Sequence, residues 1–378
     1  MNKYFALGAL AIIGVAACNQ DHSVTGIAAN RAVPTVSPSA TTSVDGPGAV
    51  YALTNQSDGN AVAIFTRAAD GTLSWIGSAP TGGTGAGASL GSQGALALSD
   101  DGRWLFAVNA GSNDISAFEV TPSGLALTSR VASGGLRPIS VTVHDKVVYV
   151  LNAGGDGSIS GFTVGNSGAL TSIAGSTRSL SGSAVGPAQV SFSSNGRWLI
   201  VTEKATNRLD VYAVGSDGSA SAANTAASAG GTPFGFAFGH RDELFVSEAA
   251  GSASSYVIDG TGALVLASGA VATHQGAPCW AVVTKNGKFG YTANAQGGSI
   301  SGFAIGNDGS IALIDADGRT AVVGGGNIDL AVSGNSRYLY QLNGNRSISG
   351  FQIGADGHLT AVGNVAGLPA STVGLVAR

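Results

Sequence analysis

The sequence predicts an all-β fold, a seven-bladed β-propeller of four-stranded antiparallel blades. After Val50, one unit recurs seven times: a strand ending in Asn or Glu, a loop, a strand with an aromatic residue near its end, an Asp-Gly or Ser-Gly turn, a third strand and a Gly-rich link. Successive copies lie 43 to 54 residues apart, which is typical of propeller blades. Of 378 residues, 59 are Gly and 11% are charged, which indicates a globular chain with many turns.

A complete blade is readable from Pro187 to Ala226. It contains "PAQVSFS" as the inner strand, the turn "SNGR", the strand "WLIVTE", the strand "RLDVYAV", the turn "SDG" and a weak outer strand. Asn-Gly and Asp-Gly favour tight hairpins because these residues tolerate positive φ. Pro138, Pro233 and Pro278 begin other inner strands, where a missing N–H donor costs little.

The two ends of the repeat region complement each other. The first copy lacks an inner strand, and "STVGLVAR" at the C-terminus is an inner strand with nothing after it. We expect these two to pair, which closes the ring and leaves no long unpaired sheet edge. The predicted propeller therefore spans residues 48–378.

One position at the end of the second strand of each blade is polar, and we call it the slot. The slot residues are Asn55, Asn109, Asn152, Glu203, Glu248, Asn294 and Asn343. Strand alternation puts them on the face opposite the hairpin turns, together with the longer loops "TGGTGAGASLGSQ", "SLSGSAVG" and "THQGA". We expect ligands on this face because binding residues concentrate on loops. An Asn there also suits a simple backbone brace.

Glu203 and Glu248 depart from Asn in two adjacent blades and are the predicted catalytic bases. Two nearby carboxylates raise each other's pKa, and Lys204 or Arg208 would offset this with positive charge. A carboxylate could then activate water while Lys or Arg stabilises an oxyanion. The alternative is a solvated Glu-Lys pair beside one braced Glu.

His274, in the link before Pro278, is a further candidate acid or base, although a lone exposed loop His is the commoner case. Gln189, Trp280 and Asp329 occupy one equivalent position, two residues after the start of an inner strand, in three blades. We expect these three to surround the channel entrance and, with Asn294, to contact substrate.

The N-terminus indicates export. After Lys3, an apolar run from Tyr4 to Ala17 is too short to span a membrane comfortably and ends in "VAAC", which resembles a bacterial lipobox. We expect a lipoprotein signal peptide at 1–17, lipidation of Cys18 and a tether at 18–47, whose typical span is about 30 Å. An ordinary secretory signal cut after Ala17 is the alternative. Asn19 in place of Asp favours the outer over the inner membrane.

Several classes of site are not indicated. The five His residues are scattered, and no H-x-H or C-x-x-C spacing occurs, so we expect no metal. No strand-loop-helix phosphate cradle is present, and we expect no cofactor. A net charge near −4 gives no basic stripe for nucleic acid. We expect a monomer that acts on a small molecule and meets the membrane through Cys18.

The repeats resemble the seven-bladed β-propeller lactonases, which include 6-phosphogluconolactonase-like and carboxymuconate-cyclase-like enzymes. The units "SNGRWLIVTEKATNRLDVYAVGSDG", "FVSEAAGSASSYVIDGTGAL", "APCWAVVTKNGKFGYTANAQGGSISGFAIGNDGSI" and "YLYQLNGNRSISGFQIGADGHLT" carry the resemblance, which covers about Val50 to Arg378. Such enzymes use a Glu at a strand end, a position that Glu248 and Glu203 match. The family's Pro-His or Pro-Arg-His strand starts are here Pro187-Ala188-Gln189 and Pro233-Phe234-Gly235.

Three functions fit these observations. The first is a lipid-anchored envelope lactonase, or lactone-forming enzyme, acting on a small carboxylic or sugar-derived substrate. The second is a non-catalytic propeller that binds a small ligand or an envelope partner on the loop-rich face. The third, a purely structural surface protein, would need no paired carboxylates.

Overall fold

The computed structural model describes residues 48–324 and 326–378, and these form a closed ring of seven β-sheets. The predicted signal peptide, Cys18 and the predicted tether lie outside the described residues. The first four blades, in chain order, are built from β1 (Gly48–Leu53), β2 (Ala61–Arg67) and β3 (Leu73–Pro80); β4 (Leu96–Leu98), β5 (Trp104–Asn109), β6 (Asp114–Thr121) and β7 (Gly124–Ala132); β8 (Pro138–His144), β9 (Val147–Asn152), β10 (Ser158–Val164), β11 (Leu170–Ser172) and β12 (Arg178–Ser179); and β13 (Pro187–Phe192), β14 (Trp198–Glu203), β15 (Arg208–Ala213) and β16 (Asn224–Ala227).

The other three blades follow the same plan. They are built from β17 (Pro233–Phe238), β18 (Glu243–Glu248), β19 (Ser252–Ile258) and β20 (Leu264–Ala272); β21 (Pro278–Val283), β22 (Phe289–Asn294), β23 (Ser299–Ile305), β24 (Ile311–Leu313) and β25 (Ala321–Val322); and β26 (Asn327–Val332), β27 (Tyr338–Asn343), β28 (Ser347–Ile353), β29 (Leu359–Ala366) and, returning to blade 1, β30 (Val373–Ala377).

The predicted architecture is confirmed. Sheet order in blade 1 is β3-β2-β1-β30, so the C-terminal strand supplies the missing inner strand and closes the ring. All pairings within the blades are antiparallel. In blades 3 and 6 the outer strand is broken into two short pieces, β11 with β12 and β24 with β25, each of which pairs with the third strand.

Buried tyrosines in three of the second strands tie their blade to the next. Tyr149, Tyr291 and Tyr340 each donate a hydrogen bond of 2.8 Å to a glycine carbonyl in the neighbouring blade's hairpin turn. The Tyr340 bond ends on Gly71 and spans the seam between blades 7 and 1. Gly71 has φ +87°, and a Cβ there would lie 2.4 Å from the Tyr338 ring, so both conformation and space require glycine.

In most inner strands the pairing register shifts just after the first residue. The shift turns the side chain of the residue two positions later toward the channel axis. The shift occurs at Pro138/Ser140, Pro187/Gln189, Pro233/Phe236, Pro278/Trp280 and Asn327/Asp329. A β-bulge re-aims side chains locally. It therefore places Gln189, Trp280 and Asp329 in equivalent positions, as the spacing predicts.

Candidate functional site

Three slot asparagines, Asn109, Asn294 and Asn343, turn their side chains toward the third strand of their own blade. Nδ2 of Asn294, which is fully buried, donates to Oγ of Ser299 at 3.0 Å and of Ser301 at 2.9 Å. Asn343 contacts Ser347 and Ser349 in the same way. These contacts brace the second strand against the third. The substrate contact predicted for Asn294 stays a prediction, and its amide group is already engaged in the brace.

Glu248 makes a carboxylate version of this brace. It is fully buried and accepts hydrogen bonds from Ser228 Oγ at 3.0 Å, Gly230 N at 2.7 Å, Ser252 Oγ at 2.5 Å and Ser254 Oγ at 2.7 Å. A Cβ at Gly230 would lie 1.9 Å from the carboxylate, so the link approaches it closely. Glu248 therefore joins the loop before β17's start to the third strand of blade 5.

Glu203 is also fully buried, but its third-strand neighbour differs. It accepts hydrogen bonds from Ser181 N at 3.0 Å, Ser181 Oγ at 2.5 Å and Thr206 Oγ1 at 2.6 Å. Two residues beyond the cross-strand partner of the slot, blades 5 and 6 carry Ser254 and Ser301, whereas blade 4 carries Asp210. The unusual slot residue of blade 4 is thus accompanied by a second carboxyl group.

Asp210 and Glu203 form one hydrogen-bonded carboxyl pair. Ser181 N donates to Asp210 Oδ2 at 3.1 Å as well as to Glu203, and Thr225 donates to Asp210 Oδ1 at 2.7 Å. Burial, followed by the hydrogen bond and charge of Glu203, raises the pKa of Asp210 to about 7. Burial also opposes ionisation of Glu203, but hydrogen bonds from Ser181, Thr206 and Asp210 hold the pKa of Glu203 below its usual value. Below about pH 7 the pair carries one proton, held by Asp210.

The positive charges predicted to accompany Glu203 lie elsewhere. Arg208 is exposed, and no ion pair involves it within residues 48–324 and 326–378. His274 is exposed in the link before β21, with φ +57°. It does not line either of the two cavities that are described below. Neither Glu203 nor Glu248 lines those cavities either. The catalytic roles of these four residues stay predictions.

Lys204 points away from Glu203 and is only 6% exposed. Its Nζ donates to the Gly91 carbonyl at 2.5 Å and lies 5.0 Å from the centre of the Phe234 ring. Burial, and secondarily the charge of Arg137, lowers the pKa of Lys204 to about 7. Burial therefore makes the neutral amine accessible near neutral pH, which it is not for an exposed lysine.

A cavity of about 380 Å³ contains Lys204 and lies on the slot face, between blades 3 and 4. Arg137 and Asp156 supply its other charged groups, and Leu90 and Val185 are among its apolar walls. We call it the lysine cavity. A neutral amine can act as a base, and a guanidinium beside it can stabilise an oxyanion or bind a carboxylate. The lysine cavity holds both groups in a partly enclosed space.

Arg137 is the residue that sequence reasoning missed. It directly precedes Pro138, the start of β8, and its backbone N–H is fixed by Asn113 Oδ1 at 2.6 Å with φ +52°. A cation beside the proline of an inner strand was the available signal, because cations at inner-strand starts are what the lactonase resemblance implies. The residues that follow Pro187 and Pro233 carry no positive charge.

The long loop 81–93 covers the channel on the slot face. Ala88 O accepts from Asn55 Nδ2 at 2.7 Å, Ser92 Oγ donates to Ile139 O at 2.8 Å, and Trp280 Nε1 donates to Ser92 O at 3.0 Å. Trp280 is buried and packs edge-on against Phe234 with ring centres 5.3 Å apart. Trp280 thus supports a cover over the channel, and its substrate contact stays a prediction.

Gln93 crosses the channel below this cover, and Gln189 joins the inner strands of two neighbouring blades. Gln93 exchanges two hydrogen bonds with the backbone of Ala281, at 2.6 and 2.9 Å. Gln189 exchanges two with Phe236, at 2.7 and 3.0 Å. On the hairpin side, a basin of about 420 Å³ opens, and Gln93, Gln189 and Asp329 line it. We call it the channel basin.

Asp329 is 2% exposed and accepts hydrogen bonds from Leu330 N at 2.8 Å and Leu375 N at 3.1 Å. Burial raises the pKa of Asp329 well above its usual value. The bond from Leu375 joins blade 7 to the closing strand β30. Asp329 faces the channel from the side opposite to the lysine cavity. Gln189 and Asp329 line the channel basin, which opens toward the hairpin turns and not toward the slot face, and their substrate contact stays a prediction.

Within residues 48–324 and 326–378, no group of three or more His, Cys, Asp or Glu side chains is arranged to hold a metal ion. Over the same residues, the structure contains no helix of sufficient length and apolarity for a membrane crossing.

A sequence-family comparison supports the resemblance inferred from the repeats. The family described as lactonase, seven-bladed β-propeller, matches residues 59–185. This segment runs from blade 1 into the loop that precedes blade 4 and includes Arg137 and Asp156. No match was found among proteins with curated descriptions.

Solved structures share the fold at low identity. A putative 6-phosphogluconolactonase from Bacteroides fragilis has a TM-score of 0.68 and 18% identity, covering 90% of this chain and 100% of its own. The periplasmic gluconolactonase of Pseudomonas aeruginosa has a TM-score of 0.69 and 17% identity, covering 87% and 98%. A Lactobacillus plantarum protein has a TM-score of 0.70 and 19% identity, covering 88% and 99%.

Proposed function

Because the chain resembles the seven-bladed β-propeller lactonases, in its segment 59–185 and in its fold, we propose that it interconverts a small lactone and its hydroxy acid in the lysine cavity. The observation that carries the proposal is the buried Lys204 amine, with a pKa of about 7, beside the Arg137 guanidinium. The proposed substrate is small and carries a carboxylate or several hydroxyls, since Arg137 and Asp156 would bind such groups.

The reaction needs one base and one oxyanion partner. The neutral Lys204 amine takes a proton from water as the water oxygen attacks the lactone carbonyl. Arg137 stabilises the tetrahedral oxyanion. The ring C–O bond then breaks, and the Lys204 ammonium returns its proton to the departing alkoxide. The product is the open hydroxy acid, and the same steps in reverse form the lactone.

In this proposal Glu203 acts as a positioning residue. With Asp210 it fixes Ser181, the start of the loop whose later residues Ala184 to Gly186 line the lysine cavity. Lys204 N also donates to Gly186 O at 3.0 Å, which couples this loop to the lysine backbone. Glu248 braces the neighbouring blade. Direct catalysis by Glu203 or Glu248 is the competing assignment, and it is tested alongside.

The decisive experiment is turnover of a panel of aldonolactones and carboxylated lactones by residues 48–378. Lys204→Met and Arg137→Gln are expected to lose at least about 100-fold in kcat/KM, a typical loss for a general base or an oxyanion donor. The exposed lysine variant Lys288→Met is the matched control and should keep full activity. Glu203→Gln, which disturbs the cavity only through the loop that begins at Ser181, should lose much less activity than Lys204→Met, and Glu248→Gln should keep full activity once folding is verified.

Inactivity of the parent on the whole panel, or full activity of Lys204→Met, would overturn the enzymatic proposal. Ligand binding without turnover would then favour the alternative, a propeller that binds a small molecule or an envelope partner. The tightly braced slot carboxylates are compatible with that alternative, since they need no substrate to explain them.

We also propose that the protein is a monomer held at the cell envelope by a lipid on Cys18, with the outer membrane favoured. The sequence "VAAC" and the following Asn19 support this. The tether at 18–47 would leave the propeller free to meet a soluble substrate.

A further inference from the structure

Lys204 is a buried amine that has no counter-ion. Within residues 48–324 and 326–378 no carboxylate forms an ion pair with it, and its Nζ donates one hydrogen bond, to the Gly91 carbonyl. The centre of the Phe234 ring lies 5.0 Å from the same nitrogen. Because an unpaired buried charge is costly, these surroundings favour the neutral amine over the ammonium ion.

Arg137 brings a second positive charge to the lysine cavity. Over the part of the chain that the structure describes, its guanidinium makes no ion pair and no hydrogen bond. Burial, and secondarily the charge of Arg137, lowers the pKa of Lys204 to about 7, so the two groups are close enough to act on each other. A short ligand can therefore reach both, and an unpaired guanidinium can bind a carboxylate with two parallel hydrogen bonds.

A neutral lysine in such surroundings is a nucleophile as well as a base. Lysine amines that are desolvated, or that lie beside another cation, form Schiff bases with carbonyl compounds. The Gly91 carbonyl engages one N–H of Lys204, which leaves the nitrogen lone pair for a bond to carbon. The cavity volume of about 380 Å³ suits a small ligand. Asp156, the acid in the lining, is exposed to solvent, which weakens its repulsion of an anionic ligand.

We propose that Lys204 forms an imine with a small 2-oxo acid, whose carboxylate is bound by Arg137. The nitrogen lone pair forms a bond to the keto carbon, and the carbonyl oxygen becomes a hydroxyl group. That oxygen then leaves as water, with one proton from the amine and one from solvent, and the product is an iminium ion. No oxidant or reductant is consumed. The inference uses the lysine cavity but not lactone chemistry, so either activity can exist without the other.

Reductive trapping of the purified full chain with pyruvate and sodium cyanoborohydride at pH 7 tests the inference. The reagent converts an imine to a stable secondary amine, which peptide mapping by mass spectrometry assigns to a particular lysine. Labelling of Lys204 should be at least about tenfold faster than labelling of Lys288, because an exposed lysine is protonated at this pH. Equal labelling rates of the two lysines would overturn the proposal.

Methyl pyruvate is the matched reagent, since it keeps the ketone and lacks the carboxylate charge. The ratio of Lys204 to Lys288 labelling should be at least about tenfold lower with methyl pyruvate than with pyruvate, because the ester cannot pair with Arg137. Using the ratio corrects for the different reactivities of the two ketones. An equal ratio for both reagents would refute the carboxylate contact.

Arg137→Gln should lower labelling of Lys204 by pyruvate at least about tenfold and affect labelling by methyl pyruvate much less. Lys204→Arg keeps a positive charge, cannot form an imine and should remove the fast-labelled site, whereas the control Lys288→Arg should keep it. If a variant does not fold, the comparison of the two lysines in the parent still decides. Lactone turnover without labelling of Lys204 would refute this inference alone, and labelling without turnover would refute only the lactonase proposal.

Discussion

Lys204 derives its chemistry from its surroundings more than from its type. An exposed lysine is protonated at neutral pH, whereas burial beneath loop 81–93 and the charge of Arg137 lower the pKa of Lys204 to about 7. The sequence singles out Lys204 as an electrostatic partner of Glu203. The structure turns its side chain away, toward the Gly91 carbonyl and the lysine cavity.

If Lys204 is the base, activity needs its neutral form. For a base whose pKa is about 7, kcat/KM should rise with pH and reach a plateau about one unit above that value. Rates measured from pH 5.5 to 9, corrected for spontaneous lactone hydrolysis, check this. A flat profile would contradict a lysine base.

Gln93 illustrates a residue whose function is to hold blades together. Gln93→Ala leaves the N–H and carbonyl of Ala281 without their partner, which should lower the free energy of unfolding by about 1–3 kcal/mol. Gly235→Ala is a useful companion, because its Cβ would lie 2.0 Å from Gln93 Oε1 and should displace it. Urea denaturation of both variants measures the loss, and an unchanged midpoint for both would refute the bridging role.

At the scale of the element, the second and third strands of five blades form a repeated unit with one polar brace. Asn with Ser, as in Asn294 and Ser301, is electrically neutral, and Glu248 is stabilised by four donors. Glu203 with Asp210 is the version that depends on pH, because two carboxyl groups share the donors and one proton. Glu203 differs from Glu248 in having a second carboxyl group, that of Asp210, where blade 5 has Ser254.

Asp210→Asn should change stability in a pH-dependent manner. The raised pKa of Asp210, about 7, means that the folded state binds more protons than the unfolded state between about pH 4 and 7. Stability from this group is fully present below about pH 4 and is lost progressively as pH rises to about 7. Asn mimics the protonated acid, so the variant should match the parent near pH 4 and be more stable at pH 8.5. Thermal unfolding at both pH values measures this, and a difference of the opposite sign would contradict the shared proton.

At the scale of the whole molecule, ring closure depends on a strand that is 320 residues away in sequence from its partner. Val50 pairs with Ala377 and Leu53 with Val373, and Asp329 holds Leu375 from the adjoining blade. The Tyr340 bond to Gly71 crosses the same seam. Blade 1 is therefore complete only when both chain ends are in place.

Removal of residues 372–378 should open the ring. It exposes β1 as an unpaired edge and uncovers buried residues such as Val50 and Ala52, so we expect a lower melting temperature and association between molecules. Calorimetry and size-exclusion chromatography measure the two effects. Addition of a peptide with the sequence of the missing strand should restore part of the stability, and a monomer with parental stability would contradict closure by β30.

The envelope location is tested on the full chain. Cys18→Ser should move the protein from the membrane fraction to the soluble fraction, because lipidation at that cysteine is the proposed anchor. A second variant, Cys279→Ser, is the control for the same change at another position of the chain. Membrane association that persists in Cys18→Ser would overturn the lipid anchor, and separation of inner and outer membranes reports the favoured compartment.

The sequence by itself determined the seven-bladed ring, the C-terminal closure and the equivalence of Gln189, Trp280 and Asp329. These features follow from a repeated period and from alternation along strands, which are local patterns. Only the tertiary structure decided the partner of Glu203, the path of loop 81–93 and the meeting of Lys204 with Arg137. Such contacts depend on loop folding and on separations as long as the 113 residues between Lys204 and Gly91, which local periodicity does not specify.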